Sequence, residues 1–273
     1  MMPLRGWLAS RDPMRPCALH CLGVGDGRPC PDRNHAAYLY RLGKAALLID
    51  CGEPVSRSLR RARLSCELLD RIFVSHLHSD HVGGLFMLLQ SFGLDERKKD
   101  LTVHLPAEAI APVFQMLQAA YLFEEFFGFR LQFAALRKGV PVMTEGVRVT
   151  PFPTTHLETA RLHFQRKYPQ AFEAFCFLIE FEALRLVHSA DLGAPEDLTP
   201  LLDKPVDLLV CELCHFTPTA LFEFLRGRPV KRLVLTHLDQ TLWQRLPQVR
   251  RLAARLLRDV AVSFPKDGQE IRL

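Results

Sequence analysis

Residues 76–81 read His-Leu-His-Ser-Asp-His, HLHSDH, three histidines and an aspartate within six positions. At this chain's His and Asp frequencies the pattern HxHxDH arises by chance in roughly one such sequence in a thousand. It follows RIFVS (71–75), an apolar run that reads as a strand, and precedes GGLFMLLQSFGL, which has helical spacing. Four other segments share this feature of an apolar strand stopping at a metal-binding residue. VRVTPFPTTH (147–156) ends at His156, and FCFLIEFEALRLVHSAD (175–191) reads as a hairpin ending at Asp191. RLVLTH (232–237) ends at His237, and the hairpin AAYLYRL, Gly43-Lys44, AALLIDCG carries Asp50 at its far end. Ligands at strand ends sit on rigid elements and can converge at one sheet edge.

Imidazole and carboxylate suit zinc, and also manganese or iron. His76, His78, Asp80, His81, His156, Asp191 and His237 are too many for one tetrahedral ion and the right number for two divalent metal ions. Two such ions sharing a bridging carboxylate hold a hydroxide between them and clamp an anionic transition state.

The remaining strands (CALHCLG, LTVHLP, DLLVCE) alternate with helical stretches (PAEAIAPVFQMLQAAYLF, LPQVRRLAARLLRDV), which indicates an α/β domain. Residues 1–16 read as an N-terminal tail and 17–273 as a single domain of mixed strands and helices. With 48% hydrophobic and 24% charged residues the chain has the composition of a globular protein with a sizeable core. The net charge of +5 permits an anionic substrate without demanding one. Basic residues cluster in RSLRRAR (57–63) and from Arg226 to Arg258, expected as solvated helix faces with phosphate contact the other reading. The N-terminus lacks the apolar core of a signal peptide, and no run approaches a membrane span. The eight cysteines are therefore expected to be reduced, in a cytoplasmic protein.

At this point the sequence resembles the metallo-β-lactamase fold superfamily, from about residue 17 to 273, through HLHSDH followed in order by His156, Asp191 and His237. Within it, GVGDG, RNHAAYLY, LLIDCGE and VLTHLDQ resemble the ribonuclease Z-like and phosphodiesterase-like branch. The resemblance implies a four-layer αββα sandwich of two mixed β-sheets flanked by helices. It implies that His76, His78 and His156 hold one metal, that Asp80, His81 and His237 hold the other, and that Asp191 bridges. Asp50 matches a position that orients ligands. An aspartate at 191, where antibiotic-hydrolysing members carry cysteine, argues against a lactamase. Ribonuclease Z relatives carry His-Glu-Ala-Thr where this chain has Cys211-Glu212-Leu213-Cys214-His215. Glu212 is kept as a supporting group, and His215 becomes the candidate general acid. Those relatives also insert a long arm between the residues matching His156 and Asp191. Only 34 residues intervene here, which favours a compact phosphodiesterase or another small-substrate hydrolase over tRNA processing.

The expected function is a dinuclear phosphoester hydrolase using a metal-bridging hydroxide, with Asp80 orienting or deprotonating the water. The alternatives are a metal-dependent hydrolase of a lactone, thioester or other acyl substrate, and a non-catalytic nucleic-acid-binding or scaffold protein. Expected partners are a small phosphoester, with nucleic acid and a homodimer as further candidates and no membrane. Cys211 with Cys214, and Cys17, His20, Cys21 and Cys30, fall short of a standard structural zinc pattern. His35 is placed to reach the site mouth, while His20, His104, His163 and His188 are expected to be structural. YLFEEFFGFRLQF (121–133) is expected to be packing, with an apolar substrate wall the alternative.

Overall fold

The computed structural model describes residues 17–273; the expected tail, 1–16, lies outside the described residues. The strands are β1 (Ala18–Gly23), β2 (Ala37–Leu42), β3 (Ala45–Ile49), β4 (Arg71–Phe73), β5 (Leu101–Leu105), β6 (Leu131–Ala135) and β7 (Val142–Thr144). They continue with β8 (Val147–Pro153), β9 (Phe175–Phe181), β10 (Leu184–His188), β11 (Leu208–Leu213), β12 (Arg232–Leu238), β13 (Ala261–Ser263) and β14 (Gln269–Arg272). The helices are α1 (Val55–Arg61), α2 (Ser79–Val82), α3 (Leu85–Leu94), α4 (Ile110–Ala119), α5 (Glu158–Phe164), α6 (Pro218–Leu225), α7 (Gln240–Gln244) and α8 (Leu246–Leu256). None of them is long and apolar enough to cross a membrane.

The chain forms two compact units, each built on one mixed seven-stranded sheet. The first comprises residues 17–23, 29–135 and 266–273, with strand order β14-β1-β2-β3-β4-β5-β6. Its strands pair antiparallel from β14 to β3 and parallel from β3 to β6. Leu39 and Leu48 alternate with their neighbours toward one core cluster. Leu85, Leu88, Leu89 and Phe92 of α3 meet that cluster, at the i, i+3, i+4, i+7 spacing that gives a helix one apolar face. Most of the Phe-rich stretch is packing: Phe126, Phe127, Phe129, Leu131 and Phe133 join the same cluster, and a Cβ at Gly93 would strike the Phe126 ring, whereas Tyr121 and Phe123 are exposed.

Arg97 is fully buried there. Its guanidinium donates to the carbonyls of Cys66, Leu69 and Asp100, and its Nε to that of Lys99. The rings of Phe92 and Phe129 lie 5.3 and 5.4 Å from it, a cation–π arrangement. This ties the loop that feeds β4 to the end of α3.

The second unit comprises residues 24–28 and 136–265, with strand order β13-β12-β11-β10-β9-β8-β7. Here β7 to β10 pair antiparallel and β10 to β13 parallel. Leu209, Cys211 and Leu213 of β11 alternate into a core with Leu233 and Leu235 of β12. Leu221, Phe222 and Leu225 of α6 and Val249 and Ala253 of α8 cover it.

Two expected strands are shorter than their apolar runs. β4 stops at Phe73, because the Ser75 amide is taken by the Asp50 carboxylate (2.8 Å). β8 stops at Pro153, and the Thr155 amide is taken by Asp197 (2.9 Å), so His156 follows on a turn. Of the residues expected to be structural, His188 is buried in β10, and His163 caps back to the Thr159 carbonyl (3.0 Å) on α5.

His104 of β5 is buried and stacks on Phe73 at 4.8 Å between ring centroids. Burial, and secondarily the charge of Arg71, pushes its pKa down from 6.5 to about 4. The unfolded chain therefore binds a proton that the folded chain does not over this window, so stability is complete above pH 6.5 and lost as pH falls toward 4. This linkage contributes at most about 3 kcal/mol. Urea midpoints measured across pH 4–7 should show that slope in the parent protein and a flatter one in His104→Phe.

Candidate metal centre

In the first unit, HLHSDH leaves the C-terminal end of β4, beside the end of β3 where Asp50 sits. Asp50 is fully buried at φ +60°, in the left-handed region that non-glycine residues seldom adopt. Its amide donates to the Phe73 carbonyl (2.8 Å), which pins the turn to β4. One carboxylate oxygen accepts from the Ser75 amide (2.8 Å). The other accepts from the Ser75 hydroxyl (3.0 Å) and faces His81 Nδ1 at 2.7 Å. The Ser75 hydroxyl, having donated to Asp50, is left as acceptor for His76 Nδ1 at 3.0 Å. Both histidines are thereby set with the Nδ1 proton facing inward and the Nε2 lone pair outward. The His76 ring packs 4.2 Å from that of His81 and 4.6 Å from that of His78. The glycine of LLIDCGE is required by this packing, since a Cβ on Gly52 would collide with the Asp80 carbonyl oxygen.

In the second unit three of the site residues follow the parallel strands, while His156 comes after the antiparallel strand β8. Asp191 lies beyond β10, Glu212 in β11 and His237 in β12. His237 is a bulge: Glu212 pairs with Thr236 and Leu213 with Leu238, which leaves His237 as the extra residue at φ +51°. Its amide is satisfied by the Val24 carbonyl (2.9 Å). Asp191 is buried and presents one oxygen to each of two histidines, Oδ2 at 3.6 Å from His156 Nε2 and Oδ1 at 3.5 Å from His237 Nε2. His215 joins them, its Nε2 3.9 Å from Asp191 Oδ2 and its ring 4.5 Å from that of His156. Buried Glu212 holds it there. One carboxylate oxygen contacts His215 Nδ1 (2.9 Å) and the Leu192 amide (3.1 Å). The other accepts from the amides of Cys214 (2.6 Å) and His215 (3.2 Å).

These distances test whether a metal fits. The Asp191–His156 and Asp191–His237 separations, like the 3.3 Å between Asp80 Oδ2 and His81 Nε2, are longer than good hydrogen bonds. Two ligand atoms at normal bonding distance from one tetrahedral zinc are about 3.3–3.4 Å apart. The pairs thus have the spacing of ligands sharing an ion. Donor atoms close enough to do so are offered by His76 with His78 and Asp80 with His81 in the first unit, and by Asp191 with His156 and His237 in the second. The nitrogen and oxygen donors are those zinc, manganese and iron accept.

The other candidates fall elsewhere. Cys211 is in the core cluster of β11, where burial raises its thiol pKa well above the ordinary value. The Cys214 thiol is pushed up to about 12 by burial and by the nearby carboxylates, Asp26 foremost. His20 Nε2 lies 3.3 Å from Glu270, and Cys21 is buried in β1. His35 packs against the turn that carries Asp50: its amide donates to the Glu53 carbonyl (2.9 Å), and its Cβ stands where a side chain on Gly52 would go. Two participants went unread in the sequence, Ser75 and Ser189, whose hydroxyl accepts from the Glu212 amide (3.0 Å). The only signal for either was its place beside a candidate ligand, Ser75 before His76 and Ser189 two residues ahead of Asp191.

Comparison with known proteins agrees with this picture. The chain is 33% identical to ribonuclease Z of Archaeoglobus fulgidus over 136 residues, 50% of this chain and 43% of that one. It spans about half the length of the curated relatives it matches. Among solved structures it is similar to the metallo-β-lactamase fold protein YhfI from Bacillus subtilis, with a TM-score of 0.75 and 20% identity over 95% of this chain and 100% of that one. It is also similar to the short form of human tRNase Z, with a TM-score of 0.70 and 20% identity over 93% of this chain and 98% of that one. The metallo-β-lactamase fold expected from HLHSDH is the fold of this chain, and the resemblance to its ribonuclease Z-like branch is borne out. A family model described as Anti-Pycsar protein Apyc1 matches residues 17–245, well over half of the sequence, and the chain belongs to that family.

Proposed function

We propose that this protein is a dinuclear metal-dependent hydrolase of compact phosphodiesters, with His76, His78 and His156 on one ion, Asp80, His81 and His237 on the other, and Asp191 bridging. The observation that carries the reading is Asp191, one oxygen turned to His156 and the other to His237. Zinc suits the histidine-rich set, with manganese or iron as substitutes. Two divalent cations held there acidify water and offset the charge of a pentacoordinate phosphoryl group.

The chain's own groups do the rest. Asp50 and Ser75 fix the Nε2 tautomers of His81 and His76. Asp80 orients the attacking water and takes up its proton. His215 donates its Nε2 proton to the departing alkoxide, and Glu212, on its Nδ1, keeps the ring aimed and supports its positive charge. An alkoxide leaving group needs such an acid. A short helix, α5, and the β9–β10 hairpin fill the interval between His156 and Asp191, which supports a substrate smaller than tRNA. The cytoplasm is the compartment proposed, in keeping with eight unpaired cysteines.

A panel of bis(p-nitrophenyl) phosphate, nitrocefin and a lactone tests the reaction class. Turnover of the phosphodiester is expected, abolished by chelation and restored by zinc or manganese; turnover of the lactone alone would overturn the reading. His215→Ala should cost about 10²–10⁴-fold in kcat on an alkyl phosphodiester. The same variant should lose little on bis(p-nitrophenyl) phosphate, whose leaving group needs no proton. Equal losses on both would remove His215 as the acid. Asp50→Asn should weaken metal affinity about 10–100-fold, read by competition with a chromogenic chelator.

A further inference from the structure

The Arg-rich stretch from Arg226 to Arg258 does not enter the metal centre. In the second unit it encloses a cleft of about 780 Å³, between the turn after α6 and the end of α8. Small-molecule sites are typically about 300–1,000 Å³. Lys231 lines the cleft immediately before β12 begins at Arg232, whereas His237 stands at the strand's other end. At about 3.3 Å per residue a strand of this length puts roughly 20 Å between them.

Five cations line the cleft, Arg226, Arg228, Lys231, Arg255 and Arg258, against one carboxylate, Asp259. Glu223 pairs with Arg226 (2.9 Å) and Asp207 with Lys231 (2.7 Å), at side chains still 62% and 66% exposed. Arg228 is held in place: its Nε donates to the Phe224 carbonyl (2.8 Å) and its guanidinium lies 4.0 Å from the Phe224 ring centroid. Its terminal nitrogens stay available. Arg255 near the end of α8 and Arg258 just beyond it have no carboxylate partner among the described residues. Between the charges the lining is apolar, from Val230, Leu256, Leu257 and Val260. Like charges gathered around a concavity repel one another, and a bound anion relieves the repulsion. Guanidinium forks match phosphate oxygens bidentately. An apolar floor under a cationic rim suits a molecule with a flat, weakly polar body and several phosphate charges.

We propose that this cleft is a second, non-catalytic binding site for a nucleoside polyphosphate, its phosphates on Arg228, Arg255 and Arg258 and its base against the apolar floor. The test is isothermal titration of the full-length protein with ATP, pyrophosphate and adenosine, at low and moderate salt. ATP is expected to bind most tightly, and added salt to weaken it. The double variant Arg255→Glu/Arg258→Glu is exposed on α8 and beyond, so the fold should tolerate it. It should weaken ATP at least about tenfold, because the charge-assisted phosphate contacts are lost. Turnover at the metal centre should remain unchanged. Asp191→Asn should leave ATP binding intact. Failure to bind ATP, equal affinity for adenosine, or binding lost in Asp191→Asn and kept in the arginine double variant would each overturn the proposal. Tighter binding of a single-stranded oligonucleotide through the same arginines would overturn it as well. None of these outcomes bears on whether the metal centre hydrolyses phosphodiesters.

Discussion

Removing a carboxylate from water costs several kcal/mol unless donors match its oxygens. Asp50 and Glu212 are buried; one oxygen of each is matched by backbone amides alone, that of Ser75 for Asp50 and those of Cys214 and His215 for Glu212, while the other oxygen meets a histidine Nδ1 beside a further donor. That arrangement reconciles two demands. The amides make the buried charge tolerable and tie it to the backbone of its own unit. The histidine, held at Nδ1, can turn only Nε2 outward. Histidine orientation in both units thus follows from where the backbone could afford to bury an anion.

The two sheets place these carboxylates in corresponding ways. In each, one half is antiparallel and the other parallel. Most candidate site residues follow the parallel half: β3 leads to Asp50 and β4 to His76, β10 to Asp191, and β11 and β12 carry Glu212 and His237, with His156 after antiparallel β8 the exception. Parallel strands bring successive C-terminal ends to one edge, where open α/β sheets assemble their sites. The strands are apolar runs because their residues are buried, as in β3, where every residue is. Polar residues then appear at the ends, where the ladder stops.

This is why much of the site was legible in the sequence. A continuous apolar run stopping at His or Asp is visible without coordinates, and HLHSDH, His156, Asp191 and His237 were read from that pattern. Features that depend on one side chain competing with the backbone ladder were not. Ser75 looks like the last residue of a strand, yet its amide and hydroxyl belong to Asp50. Glu212 was read as a supporting group without its amide partners being visible, because those amides come from Leu192 and from the turn at Cys214 and His215. Arg97, polar by any scale, is wholly buried, because the carbonyls that accept from it come from separate loop segments. The basic stretch was read as solvated helix faces, and Arg226, Arg255 and Arg258 are exposed; the turn that faces α8 is not visible in helical spacing.

The bulge at His237 bears on how this chain can vary in length. Thr236 and Leu238 keep register with β11 only because one residue between them is left out of the pairing. Deleting any residue from Leu233 to Leu238 would let the ladder close without the bulge. After a deletion ahead of it, His237 would fall opposite Glu212 in place of Thr236 and lose its position outside the ladder. Point substitution within this segment leaves the backbone path in place, whereas a change of one in its length removes it. For the six residues from Leu233 to Leu238, residue count is thus a constraint in its own right, beside the packing that holds Leu233, Leu235 and Leu238 in the core.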